Sequence, residues 1–448
     1  MIFPIGLART RRRALSAAAA ALLGVALFAA GAVGLDPPGA AESSSTVATG
    51  PRTPGHADSL GAKISALQHR LREVPGDAGG WATLGLDYVQ QAKNTADPSY
   101  YPKAEEVLRR SMELESTENF TAMAGHSALA AARHDFTAAV DWAHRAKAVN
   151  PYNATLYGTL ADALTQLGRY QESFDAVQRM VDLRPGTPSL ARASYAWELR
   201  GDLDTARDHM QRALDMAGSP ADRAFTRHHL SELALGAGDP DGALAHADAG
   251  LRADPGHSAL LRARARAELA LGRTGDAVAD YTAAVAAVPL PEYVLELGEL
   301  YQSLGDTVSA RGQYDVFRAQ QRLFADNGVA ADADATLFEA DHGDPRKALE
   351  LGLAGVRTRP FLDMDDAYAW ALHVNGRDRE ALVWSRKAGA LGTRNALHHY
   401  HRGVIEQALG HHDLARARFR TALAANPAFH PLHAPAAKAA LTALGDHA

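Results

Sequence analysis

The chain has no cysteine, which excludes disulfides, thiolate nucleophiles, Cys-based zinc or iron–sulfur sites and a lipidated N-terminal Cys. Only 7% of its residues are aromatic, and isoleucine, lysine and asparagine are scarce. Strands draw on β-branched and aromatic side chains, so this scarcity favours helices packed through small residues. Positive charge is short as well. The formal net charge is −6, and Arg9, Arg11, Arg12 and Arg13 all fall near the start, so the remainder carries roughly −10. No nucleic acid partner is expected of such a chain. A phosphate-cradling glycine loop, a Gly-x-Ser-x-Gly elbow and an HExxH pair are also missing, so neither catalysis nor a cofactor is expected.

What is present begins with the basic cluster Arg9 to Arg13, followed by an uncharged run from Ala14 to Leu35. Helical, that run would span roughly 33 Å, enough to cross a bilayer core. Residues 1–35 therefore read as a signal peptide or a membrane anchor, with the arginines left in the cytoplasm and the rest of the chain outside. Thr10-Arg11-Arg12-Arg13 loosely matches a twin-arginine signal, so both the general and the twin-arginine export routes stay open. Residues 36–56, rich in Pro, Ser and Gly, read as a disordered linker. The expected location is extracytoplasmic, either secreted or held on the outer face of the cytoplasmic membrane through residues 14–35.

Beyond the linker the chain repeats. Trp81-Ala-Thr-Leu84-Gly85-Leu-Asp-Tyr88 fits W-x2-L-G-x2-Y without a mismatch. Gly168, Gly201, Gly238, Gly272, Gly305, Gly343, Gly376 and Gly410 form a ladder with intervals between 33 and 38 residues. Five residues after each comes a small residue: Ser173, Ala206, Ala243, Ala277, Ala310, Ala348, Ala381 and Ala415, with Ala139 one unit earlier. Pro75, Pro151, Pro185, Pro255, Pro289, Pro360 and Pro427 form a third ladder in the same phase. Each has a mechanical reason: glycine ends one helix in the left-handed region, the small residue lets a second helix approach, and proline ends that second helix. The two longer intervals predict extra residues between hairpins, and Asn94 to Pro102 predicts a lengthened loop in the first hairpin, with Tyr100 and Tyr101 on a contact surface.

On these motifs the chain resembles the tetratricopeptide-repeat family over residues 78–427, about ten units, of the extracytoplasmic bacterial type. The fit is weaker where His126 replaces the signature leucine and Thr336 the signature glycine. The resemblance implies an all-α, right-handed α-solenoid. Leu60, Ile64, Leu67 and Leu71 mark an N-terminal capping helix in 57–77, and Ala437, Leu441 and Leu444 a C-terminal cap and tail in 428–448. It also implies a binding scaffold that engages a protein or peptide in a concave groove lined by the first helices. The residues expected to face that groove are Asp162, Gln166, Arg192, Tyr195, Glu198, His228, His229, Glu232, Arg262, Arg266, Glu296, Glu299, Gln302, Asp366, Trp370 and His373. Arginines in the middle units between acidic ends would suit a ligand with an acidic centre.

Histidine crowds the C-terminal end: His398, His399, His401, His411, His412, His430, His433 and His447. This clustering supports an alternative reading, a nickel-, zinc- or copper-binding or pH-sensing accessory protein with His398, His399, His401, His411 and His412 as ligands.

Overall fold

The computed structural model describes residues 56–445, so the expected export segment, the linker up to residue 55 and His447 lie outside the described residues. Every regular element among them is an α-helix. Helix α1 (His56–Glu73) precedes ten antiparallel hairpins. The first five are α2 (Ala78–Thr95) with α3 (Tyr100–Leu114), α4 (Phe120–Ala132) with α5 (Phe136–Val149), α6 (Ala154–Gln166) with α7 (Tyr170–Leu183), α8 (Thr187–Glu198) with α9 (Leu203–Asp215), and α10 (Pro220–Gly236) with α11 (Pro240–Leu251). The second five are α12 (Ser258–Ala270) with α13 (Thr274–Ala287), α14 (Pro291–Ser303) with α15 (Thr307–Asp326), α16 (Ala333–His342) with α17 (Pro345–Thr358), α18 (Leu362–Val374) with α19 (Asp378–Ala388), and α20 (Ala396–Ala408) with α21 (His412–Ala425). Helix α22 (His433–Ala443) follows. The fold is an all-α helical-repeat solenoid.

Local chemistry sets the hairpin ends. Asp135, Asn153, Asp202 and Asp239 each cap a helix by accepting the backbone N–H three residues on, satisfying a donor that has no partner inside the helix. Seven of the ladder glycines are left-handed, with φ between 66° and 80°. Gly343 departs from the ladder: its φ is −130°, and α16 ends without the left-handed turn. In the second hairpin His134 takes the glycine's place at φ 63°, an uncommon conformation for a side chain this large. Its buried ring holds it there, with Nδ1–H donating to the Ala330 carbonyl at 2.8 Å.

Within each hairpin, volumes are exchanged at the closest approach. A Cβ on Gly298 would lie 2.7 Å from the Tyr314 ring, and one on Gly403 2.6 Å from Phe419. In the eighth hairpin Thr336 stands where those glycines do, and the facing helix answers with Gly352, whose Cβ would lie 3.3 Å from the Thr336 methyl. Where the signature position is serine, the hydroxyl donates across the hairpin to the carbonyl of the ladder alanine. These bonds run Ser127 to Ala139, Ser194 to Ala206 and Ser231 to Ala243, at 2.7 to 2.8 Å. The third hairpin reverses the pair, with Ser173 on the second helix donating to the Ala161 carbonyl at 2.9 Å. The bond recurs because the approach is too close for a larger side chain and the hydroxyl, buried there, needs a partner.

Three expectations about insertions are corrected. The longer intervals do not lie between hairpins: they lengthen α10 to 17 residues and α15 to 20, against 13 or 14 in most other units. In the first hairpin the insertion extends α2 to Thr95 and leaves only residues 96–99 as loop. Tyr101 is no contact surface, because it is fully buried with Leu108 and Val107 in the first core cluster.

Neighbouring first helices pack on one another, as α2 on α4, α10 on α12 and α16 on α18, whereas neighbouring second helices scarcely meet. The first helices therefore line the concave side. The solenoid also winds tightly enough for its second turn to sit on its first: the connections after the seventh, eighth and ninth hairpins, and the end of α21, each meet the turn of a hairpin five units earlier. Ala330 N–H donates to the Arg133 carbonyl at 3.2 Å, Pro360 lies against Gly168, Gly392 against Gly201, and Ala424 against Gly238. At the start of the series the long α15 brings Phe324, with Val329 just after it, into the core of the first hairpin. Leu362 N–H donates to the Tyr170 hydroxyl at 2.9 Å, and the buried Arg359 donates to Gln166 Oε1 at 2.6 Å.

Candidate functional site

Stacking of the turns converts the concave face into a chamber of about 830 Å³, within the range of small-ligand sites. The first turn supplies Lys93, Asp162, Arg192, Glu198, His228, Glu232 and Arg262 to its lining; the second supplies Asp332, Asp334, Arg359, Asp363, Asp366 and His398. Of the residues expected in a groove, Asp162, Gln166, Arg192, Tyr195, Glu198, His228, His229, Glu232, Arg262, Arg266 and Asp366 line this chamber.

Glu296, Glu299, Gln302, Trp370 and His373 do not line it, and each has an internal partner. Glu296 accepts from Nε and Nη2 of Arg262, at 2.8 and 2.6 Å. Gln302 accepts the Tyr314 hydroxyl at 2.7 Å, and His373 pairs with Asp378 at 2.5 Å. The remaining two are covered by the chain's own C-terminal segment. His430 and His342 hold Glu299 at 3.1 and 3.0 Å. Burial alone would raise the Glu299 carboxyl, but the two imidazoles outweigh it and hold it well below the usual carboxylate range. Trp370 is buried, donates Nε1–H to Asp341 at 2.8 Å and stacks on His401 at 4.2 Å, with His433 edge-on. Trp370 is therefore a packing residue and not a ligand platform.

The C-terminal histidines are likewise engaged in internal contacts, His398 and His401 sharing Asp366. His398 meets Asp363 at 3.1 Å, His401 meets Asp366 at 2.7 Å, His411 meets Glu406 at 2.6 Å, and His399 faces Arg418. His412 opens α21 on the exposed surface. No group of three or more His, Asp or Glu side chains able to hold a metal occurs among the described residues.

In the chamber, charge pairing follows the repeat. Arg192 makes a two-pronged contact with Asp162 of the preceding unit at 3.0 and 2.7 Å. Arg266 reaches Glu232 and Arg262 reaches Glu296, each pair 34 residues apart, one repeat length. The arginines that suggested an acidic ligand are thus already engaged by their neighbours' carboxylates. The lining nonetheless holds nine Asp or Glu against six Lys or Arg. Glu198, Glu292 and Asp334 show no side-chain hydrogen bond or ion pair among the described residues, and Glu292 Oε1 is shut from solvent as well. Burial, reinforced by Glu232 and Asp363, raises Glu198 to about 7. Burial raises Glu292 to about 7 against the pull of Arg262, and burial with Asp332 and Glu292 pushes Asp334 well above its ordinary value. Burial likewise lowers Lys93 and His229, the latter to about 4.

Glu292, Asp332, Asp334, Asp363 and Arg359 were not among the expected groove residues. The acids stand at helix starts, where the helix dipole is sufficient reason for a carboxylate, and Arg359 lies in a connection whose neighbour across the turns no repeat phase specifies.

The tetratricopeptide-repeat sequence profile matches residues 229–290 and 262–323. No curated protein matches the chain in sequence. Among solved structures it is similar to the human IFIT1 dimer with m7Gppp-AAAA, at 14% identity over 74% of this chain and 77% of that one, with a TM-score of 0.46. It is also similar to yeast Tom70, at 13% identity over 82% and 97% with a TM-score of 0.34. A tetratricopeptide repeat protein from Parabacteroides merdae matches at 18% identity over 58% and 98%, with a TM-score of 0.33.

Proposed function

The chain is a tetratricopeptide-repeat protein, and on that premise we propose that it is a binding scaffold working outside the cytoplasm, its concave chamber receiving a short segment of a partner. Repeat solenoids generally serve as protein-interaction scaffolds, because stacking neighbours leaves one continuous inner surface whose exposed side chains packing does not dictate. The observation that carries the reading is the chamber itself, about 830 Å³ lined mainly by polar and charged side chains on first helices. Its volume suits a chain end or short loop of a partner protein and not a long helix. The carboxylate excess of the lining argues against nucleic acid. The basic-then-apolar start of the chain supports export, whereas no helix of the described residues is long and apolar enough to cross a membrane.

A photo-crosslinking residue placed at Thr159, in the chamber lining, tests the site against the same residue at Tyr152, on the exposed outer surface. Partner peptides should be trapped from position 159 and not from 152. Trapping only from 152 would move the binding surface to the outside. Fractionation of cells with N-terminal sequencing of the product tests export; a full-length chain in the cytoplasm would overturn it.

A further inference from the structure

We infer that the chamber selects a ligand bearing amine or guanidinium groups, held by Glu292, Asp334 and Glu198. This rests on the reading above, that the chamber is the binding site, and specifies the chemistry of its occupant.

The guanidinium groups facing the chamber are already engaged. Arg192, Arg262 and Arg266 are each engaged by a carboxylate of a neighbouring repeat, and Arg359 is engaged by Gln166 across the stacked turns. An anionic ligand contacting any of these arginines would have to break its pair and leave the partner stranded, and Lys93, a further cation of this wall, has its charged form disfavoured by burial. Three carboxylates are not engaged: Glu292, Asp334 and Glu198 show no internal partner among the described residues, and Glu292 Oε1 lacks both a donor and solvent. In the same wall Asp366 is 1% exposed; its Oδ2 meets His401 while Oδ1 accepts no hydrogen bond. Buried carboxylate oxygens without donors are unfavourable in the empty protein and become favourable acceptors once a cation arrives.

The electrostatics agree. Burial, with the repulsion of neighbouring carboxylates, raises Glu198 and Glu292 to about 7, so both are part-protonated near pH 7, and pushes Asp334 well above its ordinary value. A bound cation would favour their ionised forms, so binding should release protons and tighten as pH rises from 6 to 8.

The test uses the purified full chain and calorimetric titration with three probes: spermidine, a Lys-Arg tetrapeptide amide, and an Asp-Glu tetrapeptide. Each is run on the unmodified protein, on the double variant Glu292→Gln with Asp334→Asn, and on Thr159→Trp, which obstructs the chamber; circular dichroism checks that the variants are folded. A cationic probe should bind the unmodified protein with proton release, weaken by about ten-fold or more in the double variant, and be lost in Thr159→Trp. Binding of spermidine would indicate a free amine, and binding of the peptide alone a basic segment of a partner; either supports the inference. Binding of the acidic peptide, lost in Thr159→Trp, would overturn the charge assignment while leaving the chamber as the site. Equal binding of the cationic probes to all three proteins would sink the chamber itself. No binding of either cationic probe would overturn the inference.

Discussion

Glu198 sits on α8 with Glu232 of α10 and Asp363 of α18 as its charged neighbours. Its folded pKa of about 7 lies above that of an unfolded glutamate. The stability it lends the protonated fold is therefore fully present below about pH 4 and is lost as pH rises through 7. Glu198→Gln should leave the melting temperature nearly unchanged at pH 4.5 and raise it at pH 8, by about 1–3 kcal/mol of stability. Thermal melts of both proteins at the two pH values check this; no gain at pH 8 would mean that the carboxylate finds a partner on ionising. Glu198 was legible in the sequence as a first-helix residue that packing leaves unspecified, but its solitude was not. Asp363 is 165 positions away and reaches it only because the turns stack.

At the scale of the element, the ladder glycines are alike in sequence and unlike in position. Gly201 and Gly272 both sit at φ near 75°, where any side chain is strained by about 1–2 kcal/mol. Around Gly272 there is open space, whereas a Cβ on Gly201 would strike the backbone carbonyl of Gly392 in the next turn. Gly201→Ala should therefore cost about 1–3 kcal/mol more than Gly272→Ala, read as the difference between their urea midpoints at equal slope. Equal losses would contradict the docking of Gly392 on that turn. The repeat phase alone identifies both as helix terminators, because the left-handed turn is a local property; it is silent on which is covered. The same limit applies to Trp370. A tryptophan on a first helix reads as groove lining until His433 and Asp341 are found around it.

For the whole molecule, the question is what holds one superhelical turn on the other. Arg359 is 3% exposed, donates to Gln166 and stacks 5.3 Å from the Phe136 ring, joining the eighth hairpin's exit to the second and third hairpins. Removing a buried, hydrogen-bonded guanidinium strands its partners, so Arg359→Ala should cost about 2–4 kcal/mol. It should also increase the radius of gyration in X-ray scattering as the turns part. A variant that keeps both its stability and its scattering profile would show that apolar contacts such as Phe324 in the first core hold the turns without it.

The sequence by itself determined the repeating unit: where helices end, which small residues let partners approach, and which faces are apolar. These depend on interactions between residues fewer than about 40 apart, and the ladders print them in order. Only the tertiary structure decided the site. Lengthening of α10 and α15, stacking of the second turn on the first, and the C-terminal histidines laid over Glu299 and Trp370 together turn an open groove into a carboxylate-rich chamber. The physical reason is that closure of the chamber and the burial of its carboxylates depend on distances between residues more than a hundred positions apart, and a small change of pitch per hairpin, summed over five hairpins, sets those distances.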